Sequence, residues 1–150
     1  LVLEHPGAVV VLALDDEDRV LCLSQYRHPG QHRFVEIPAG LIDGHEDETP
    51  LDVARRELRE EAGLEATDWV ELTAAYSSPG ISAELIHYFV ARGLTHVDRD
   101  FEPEHEEAEM QVFWAPYDEL YDAVLAGLVS DAPLVLAVLL ARARGLVGTV

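Results

Sequence analysis

Lysine is absent from this 150-residue sequence: all ten basic side chains are arginine, against 29 Asp and Glu, for a formal net charge of −19. So acidic a balance argues against non-specific adhesion to nucleic acid or to anionic membranes, since both need a basic surface. It leaves room for a small nucleotide ligand, whose phosphates can be met by metal ions. Cysteine is nearly absent too. A lone Cys22 cannot form an internal disulfide, which fits a reducing compartment and makes the cytoplasm the expected location. Set among apolar strand residues, it reads as an ordinary buried thiol. Long apolar runs are missing: the longest, Leu134 to Ala141, falls far short of the ~20 residues that span a bilayer. Between Pro133 and Arg142 it reads instead as a buried helix. The opening Leu1-Val2-Leu3-Glu4-His5-Pro6 has no basic n-region or signal-type apolar run. It also lacks an initiator methionine, so trimming or missing flanking residues are expected. No repeat or low-complexity linker breaks the chain.

What is present belongs to a folded domain. Apolar residues make up 49% of the chain, too many for an acidic disordered tail, and the length suits one globular domain over residues 1–150. Ala8–Leu14 and Val20–Tyr26 are β-rich, and the Asp15-Asp16-Glu17-Asp18-Arg19 segment between them predicts a hairpin with an acidic turn. Phe34–Ile37 is a short strand running into a Pro38-Ala39-Gly40 turn. Helix signals cluster next: Thr49 as N-cap, Pro50 at the first helical position, Asp52 at the capping-box position and Gly63 as stop, giving a helix over 50–62. Strands are expected at Trp69–Tyr76, Leu85–Ala91 and Val112–Ala115, and helices near Tyr117–Ala126 and Pro133–Arg144. Strands and helices mix without regular βαβ alternation, which predicts an α/β sandwich with a mixed sheet rather than a doubly wound fold.

The helix carries the chemistry. Glu57, Glu60 and Glu61 are spaced i, i+3 and i+4, so they share one helix face with Cβ atoms roughly 5–6 Å apart. Three like charges so close repel one another and call for compensation. A hard divalent cation supplies it well, because Mg²⁺ is commonly held by a few carboxylates, water and substrate phosphates. A solvated acidic face, with Arg56 and Arg59 as salt-bridge partners, is the alternative.

The surrounding residues resemble the Nudix hydrolase signature. Glu48, seven residues, then Arg56-Glu57-Leu58-Arg59-Glu60-Glu61-Ala62-Gly63-Leu64 matches its second part throughout. The first part departs: Gly40 lies eight positions before Glu48 rather than six, so the loop is two residues longer than the family pattern. The resemblance implies an α/β/α sandwich with a loop–helix–loop catalytic motif. It also implies hydrolysis of a nucleoside diphosphate linked to another moiety, with Mg²⁺ or Mn²⁺. Glu57, Glu60, Glu61 and the Ala39 carbonyl are then the expected metal ligands. Arg56 is expected to hold the glutamates in place through hydrogen bonds.

More of the chain is similar to the ADP-ribose pyrophosphatase branch. The match includes His5-Pro6-Gly7-Ala8-Val9, Gln25-Tyr26-Arg27 and Glu36-Ile37-Pro38-Ala39-Gly40-Leu41. Pro79 stands fifteen residues after Leu64, the proline position associated with ADP-ribose preference, with Gly80 beside it. A Ser-Pro-Gly turn is also ordinary between strands. In this branch a glutamate in the loop before the last strand acts as base or as an extra metal contact. Glu106 fits that place best and Glu107 second, with His105 as a loop-packing residue.

Arg27 is the candidate phosphate contact, a guanidinium suited to bidentate binding, with a surface salt bridge as the alternative. Glu36 and Glu84 are candidates for ribose hydroxyls or metal support. Tyr26 and Phe34 suit core packing better than adenine stacking. The branch works as a homodimer with an N-terminal β-region exchanged between subunits, and that region is expected to be short or missing here. The expected reaction is ADP-ribose plus water giving AMP and ribose 5-phosphate. Hydrolysis of another sugar nucleotide or dinucleotide, or ligand sensing without cleavage, are the alternatives.

Overall fold

The computed structural model describes residues 3–43, 47–98 and 110–148. Six apolar residues form strand β1 (Ala8–Ala13), and every one is buried. A strand buried on both faces needs cover on both sides. Its even-numbered residues Ala8, Val10 and Leu12 enter one core with Tyr117, Leu134 and Val138. Its odd-numbered residues Val9, Val11 and Ala13 enter a second core with Val53, Ala54 and Leu58. The two-residue period of the strand thus builds a layered α/β/α arrangement.

Strand β2 (Arg19–Arg27) lies in a different sheet, which corrects the hairpin expectation. Only an isolated bridge, Leu14 to Val20, joins the two runs. Asp15 turns the chain by accepting from the Glu17 and Arg19 amides at 3.0 and 2.8 Å. Strand β2 then pairs antiparallel with β3 (His32–Glu36) and β7 (Gln111–Pro116). Strand β1 pairs antiparallel with β4 (Ala39–Leu41) and in parallel with β6 (Leu85–His96), and β6 pairs antiparallel with β5 (Leu64–Tyr76). The four-stranded order is β4-β1-β6-β5, a mixed sheet.

The Pro38-Ala39-Gly40 turn is therefore partly strand, because Gly40 pairs with Val9. Strands β5 and β6 outrun the expected ends. Past Ala91 they pair only with each other, through Leu64 opposite His96. Among the described residues no third strand pairs with this ribbon; Leu64, Ala66 and Leu94 still pack on the second core, while Glu65, Thr67 and Asp68 between them are exposed or polar and weaken the strand signal.

Helix α1 (Pro50–Ala62) begins and ends as the sequence predicts. The Thr49–Asp52 capping box closes in both directions, and Gly63 adopts φ 65°, a left-handed stop that favours glycine. Helices α2 (Tyr117–Leu125) and α3 (Ala132–Ala143) cover the opposite side. The apolar run at Leu134–Ala141 is thus a packed helix. Among the described residues, no helix is long and apolar enough to cross a membrane. Cys22 is fully buried, and burial pushes its thiol up to about 12.

Candidate active site

A cleft of about 520 Å³ opens where β1, β2, β4 and α1 meet. Arg27, Ala39, Gly40, Glu61, Glu84 and Met110 are among the residues lining it. The first contribution comes from α1. Val53, Ala54 and Leu58 bury one side of the helix in the core, which turns Glu57 and Glu61 toward β4. Glu57 lies directly over Gly40: a Cβ added there would sit 2.2 Å from the Glu57 carboxyl carbon and 2.4 Å from its Oε1. The absent side chain at Gly40 is the space that the Glu57 carboxylate occupies. Glu61, one turn on, lines the cleft itself, and its Oε2 is buried. Glu60 is half-buried and lies about 100° round the helix from Glu61. It does not line the cleft.

Strand β2 supplies Gln25 and Arg27 on one face by its two-residue period. The Arg27 guanidinium is gripped by the buried Glu36 carboxylate, Nε to Oε2 at 2.9 Å and Nη2 to Oε1 at 2.7 Å. The Glu36 hydrogen bonds raise the Arg27 pKa, against the lowering effect of burial, and the charges of Glu36, Asp131 and Glu61 raise it further. The salt bridge expected as the alternative for Arg27 is present, with Glu36 as its partner, and it holds a partly exposed guanidinium at the cleft wall.

Glu84 enters from the start of β6. It accepts from the Ser77 hydroxyl at 2.6 Å and lies 3.1 Å from His5 Nε2. The Gly7 amide donates to His5 Nδ1 at 2.9 Å, so the imidazole proton belongs on Nε2, aimed at Glu84. Pro79 and Gly80 stand outside the cleft on an exposed turn, with open space around a Cβ at Gly80. The turn is tied down by Leu3, whose amide donates to Ile81 O at 2.6 Å and whose carbonyl accepts from the Ala83 amide.

Arg56 faces the loop before the helix. Its Nη1 donates to both Glu48 carboxylate oxygens at 2.5 Å, and its Nη2 to Asp43 at 3.1 Å. Burial works to lower its pKa, but the Glu48 hydrogen bonds and the charges of Glu48, Asp43 and Glu57 outweigh it and hold the guanidinium above its usual range. Its direct hydrogen bonds therefore go to the loop carboxylates, while Glu57 feels its charge. Glu106, Glu107 and His105 lie outside the described residues. Met110, the first described residue after them, lines the cleft.

The donors suit a hard cation. Glu57 stands over Gly40, while Glu61 and Ala39 line the cleft beside that glycine, so the available donors are carboxylate and backbone oxygens. Among the described residues no three His, Cys, Asp or Glu side chains close on one point.

A second hollow of about 590 Å³ shares Arg27 and Ala39 with the cleft and adds Phe34, Ser130 and Asp131. Asp131 caps α3 by accepting from the Leu134 amide, and burial raises its carboxyl to about 6. Tyr26, expected in the core, is 48% exposed, and Phe34 is half-buried against His32.

Gln25, His5 and Asp131 were missed as site residues. Strand periodicity from Arg27 could have found Gln25. The other two arrive through tertiary packing.

Comparison with known proteins agrees with this architecture. Residues 4–138 match the NUDIX domain family. The chain is 41% identical to the ADP-ribose pyrophosphatase of Mycobacterium tuberculosis over 142 residues, covering 95% of this chain and 68% of that protein. It is 40% identical to the ADP-ribose pyrophosphatase of Bacillus subtilis, covering 71% of this chain and 56% of that protein. In fold it resembles a crystal structure of an ADP compounds hydrolase, with a TM-score of 0.78 at 24% identity, over 92% of this chain and 71% of that one. With the family matched from residue 4 to residue 138 and its carboxylate helix seated over Gly40, the chain belongs to the Nudix family.

Proposed function

We propose that this protein is a divalent-metal-dependent hydrolase that cleaves the pyrophosphate of ADP-ribose to AMP and ribose 5-phosphate. The observation that carries the reading is the cleft, lined by the Arg27 guanidinium and the Glu61 carboxylate, with Glu57 seated over its Gly40. That is the polarity a pyrophosphate with bound cations requires. The two relatives named as ADP-ribose pyrophosphatases support the choice of substrate.

Glu57, Glu61 and the Ala39 carbonyl would hold the metal, with Glu60 at the side of the same face, and Mg²⁺ is the expected ion with Mn²⁺ as substitute. When bound, such ions neutralise the pyrophosphate, polarise a phosphoryl oxygen and lower the pKa of the attacking water. Arg27 orients a phosphate while Glu36 fixes its fork. Glu84, steadied by Ser77 and His5, would accept a hydrogen bond from a ribose hydroxyl. Arg56 ties the loop carboxylates Glu48 and Asp43 to the helix. Glu106, with Glu107 second, remains the proposed base, carried by the family resemblance. Catalysis then rests on positioning and charge stabilisation.

A second substrate has support of its own: a GDP-mannose pyrophosphatase of Yersinia enterocolitica is 28% identical over 93% of this chain. Chromatographic product analysis over a nucleotide panel with Mg²⁺ decides between them. EDTA-sensitive AMP release from ADP-ribose, faster than product release from GDP-mannose or dinucleotides, is expected. Preferential GDP-mannose cleavage would overturn the substrate, and no cleavage of any compound would overturn the enzyme. Homodimerisation is proposed from the family resemblance and is checked by light scattering. A cytoplasmic location is proposed from the single buried thiol.

A further inference from the structure

Helix α1 has a second charged side. Glu57 and Glu61 face the cleft, whereas Arg55 and Arg59, one turn apart, project from the other side. With Arg56 they line a hollow of about 370 Å³, completed by Glu65, Ala66 and Trp69 of β5. That volume lies within the range of small-ligand pockets. None of its lining residues is shared with the cleft. Three of the chain's ten arginines line it beside a single acidic lining residue, Glu65, on a protein of net charge −19.

The three guanidiniums differ in commitment. Arg56 is held by Glu48 and Asp43, and Arg59 pairs with Glu65. Among the described residues, exposed Arg55 makes no hydrogen bond or ion pair, although its charge helps hold the Asp52 carboxyl below its usual range. Like charges at i and i+4 repel, so Arg55 beside Arg59 favours an anion. Trp69 is fixed in orientation. Its Nε1–H donates to the Ala66 carbonyl at 3.2 Å, and Phe89 packs edge-on at 6.2 Å and 82°. Its N–H is thus engaged within the protein, and the half-buried indole is the aromatic member of the lining. An open guanidinium takes phosphate in bidentate fashion, and indole and guanidinium planes both stack on flat rings.

We propose that this hollow is a second, non-catalytic site for a nucleoside monophosphate, with the phosphate on Arg55 and the base against Trp69. The site is independent of which substrate the cleft cleaves. AMP is the probe, with adenosine and ribose 5-phosphate as its two halves. The readout is the Trp69 indole N–H resonance of the intact protein, assigned with Trp69→Phe and checked with Trp114→Phe.

AMP is expected to shift the resonance saturably in the wild type and equally in Arg27→Ala, whose change lies in the cleft. In Arg55→Glu, with an unchanged melting temperature, affinity should fall roughly tenfold or more. Each half of AMP should bind at least roughly tenfold more weakly than the whole. The proposal fails if AMP leaves Trp69 unmoved, if Arg55→Glu binds as the wild type does, or if the shift vanishes in Arg27→Ala. Ribose 5-phosphate binding as well as AMP would overturn the role given to the base.

Discussion

Replacing Gly40 with alanine separates catalysis from stability. The new methyl carbon would stand 2.2–2.4 Å from Cδ, Cγ and Oε1 of Glu57, well inside van der Waals contact. The backbone at Gly40 is ordinary strand, so alanine strains nothing there and removes unfolded-state freedom worth about 0.4–1 kcal/mol. Against this, the Glu57 side chain must leave its rotamer, at about 0.5–1.5 kcal/mol. The two nearly cancel, and the melting temperature of a chain this long should move by no more than about 4 °C. Activity has no such cancellation. A carboxylate displaced by about 1 Å in a metal-dependent site costs on the order of 100-fold in turnover. The assay is AMP release at saturating substrate across a Mg²⁺ titration, beside a thermal melt. A Gly40→Ala protein with wild-type kcat at every metal concentration would refute the placement of Glu57. So would additive losses in Gly40→Ala and Glu57→Gln, since one variant acts through the other's carboxylate and their double mutant should be no worse than Glu57→Gln alone.

Glu61→Gln should lower kcat by roughly 100- to 1000-fold with the fold intact, as judged by circular dichroism. Glu60→Gln should also reduce turnover by orders of magnitude, and full activity with metal bound would remove Glu60 from the site. Arg27→Ala leaves the Glu36 carboxylate buried without its fork. Discounted because the arginine is half-exposed, the cost is about 1–3 kcal/mol in urea unfolding, alongside a raised KM for ADP-ribose. Asp131 titrates at about 6 in the fold against 3.8 ordinarily, so the native state binds its proton more tightly. Its contribution is fully present below about 4 and is lost as pH rises through about 6. Asp131→Asn keeps a capping oxygen and should remove that dependence, about 1 kcal/mol after solvent screening, measured as the difference in melting between pH 4 and pH 7.

Local chemistry made α1 legible from sequence to within a residue. A threonine cap, an N1 proline, a box aspartate and a stop glycine all act within the helix and its flanks. The same locality made the apolar α3 readable and placed the carboxylates on one face. The hairpin was misread because a run buried on both faces looks like any apolar strand. Which strands flank it is settled by β4 and β6, remote in sequence. Likewise the far ends of β5 and β6 carry Glu65, Thr67 and Asp68, polar residues that a two-stranded ribbon tolerates and a propensity reading discards. The cleft was half visible. Arg27, Ala39, Glu61 and Glu84 line it together, but Arg27's attachment to Glu36, the direction of Arg56 and the His5–Glu84 contact depend on packing. Pro79 stands on an exposed turn outside the cleft.

The double capping of α1 has a consequence for motion. A 13-residue helix spans about 20 Å, and isolated helices of that length fray from both ends. Here the Thr49 and Asp52 reciprocal bonds close the first turn, and the Gly63 amide donates back to the Arg59 and Leu58 carbonyls. Fraying from the C-terminal end would carry Glu61 and Glu60 away first, since they lie in the last turn. By holding that end, Gly63 confines carboxylate motion to side-chain torsions. Amide exchange at residues 60–63 should therefore be nearly as slow as at Leu58 in the core, and the ordering lost on cation binding should be limited to a few χ angles.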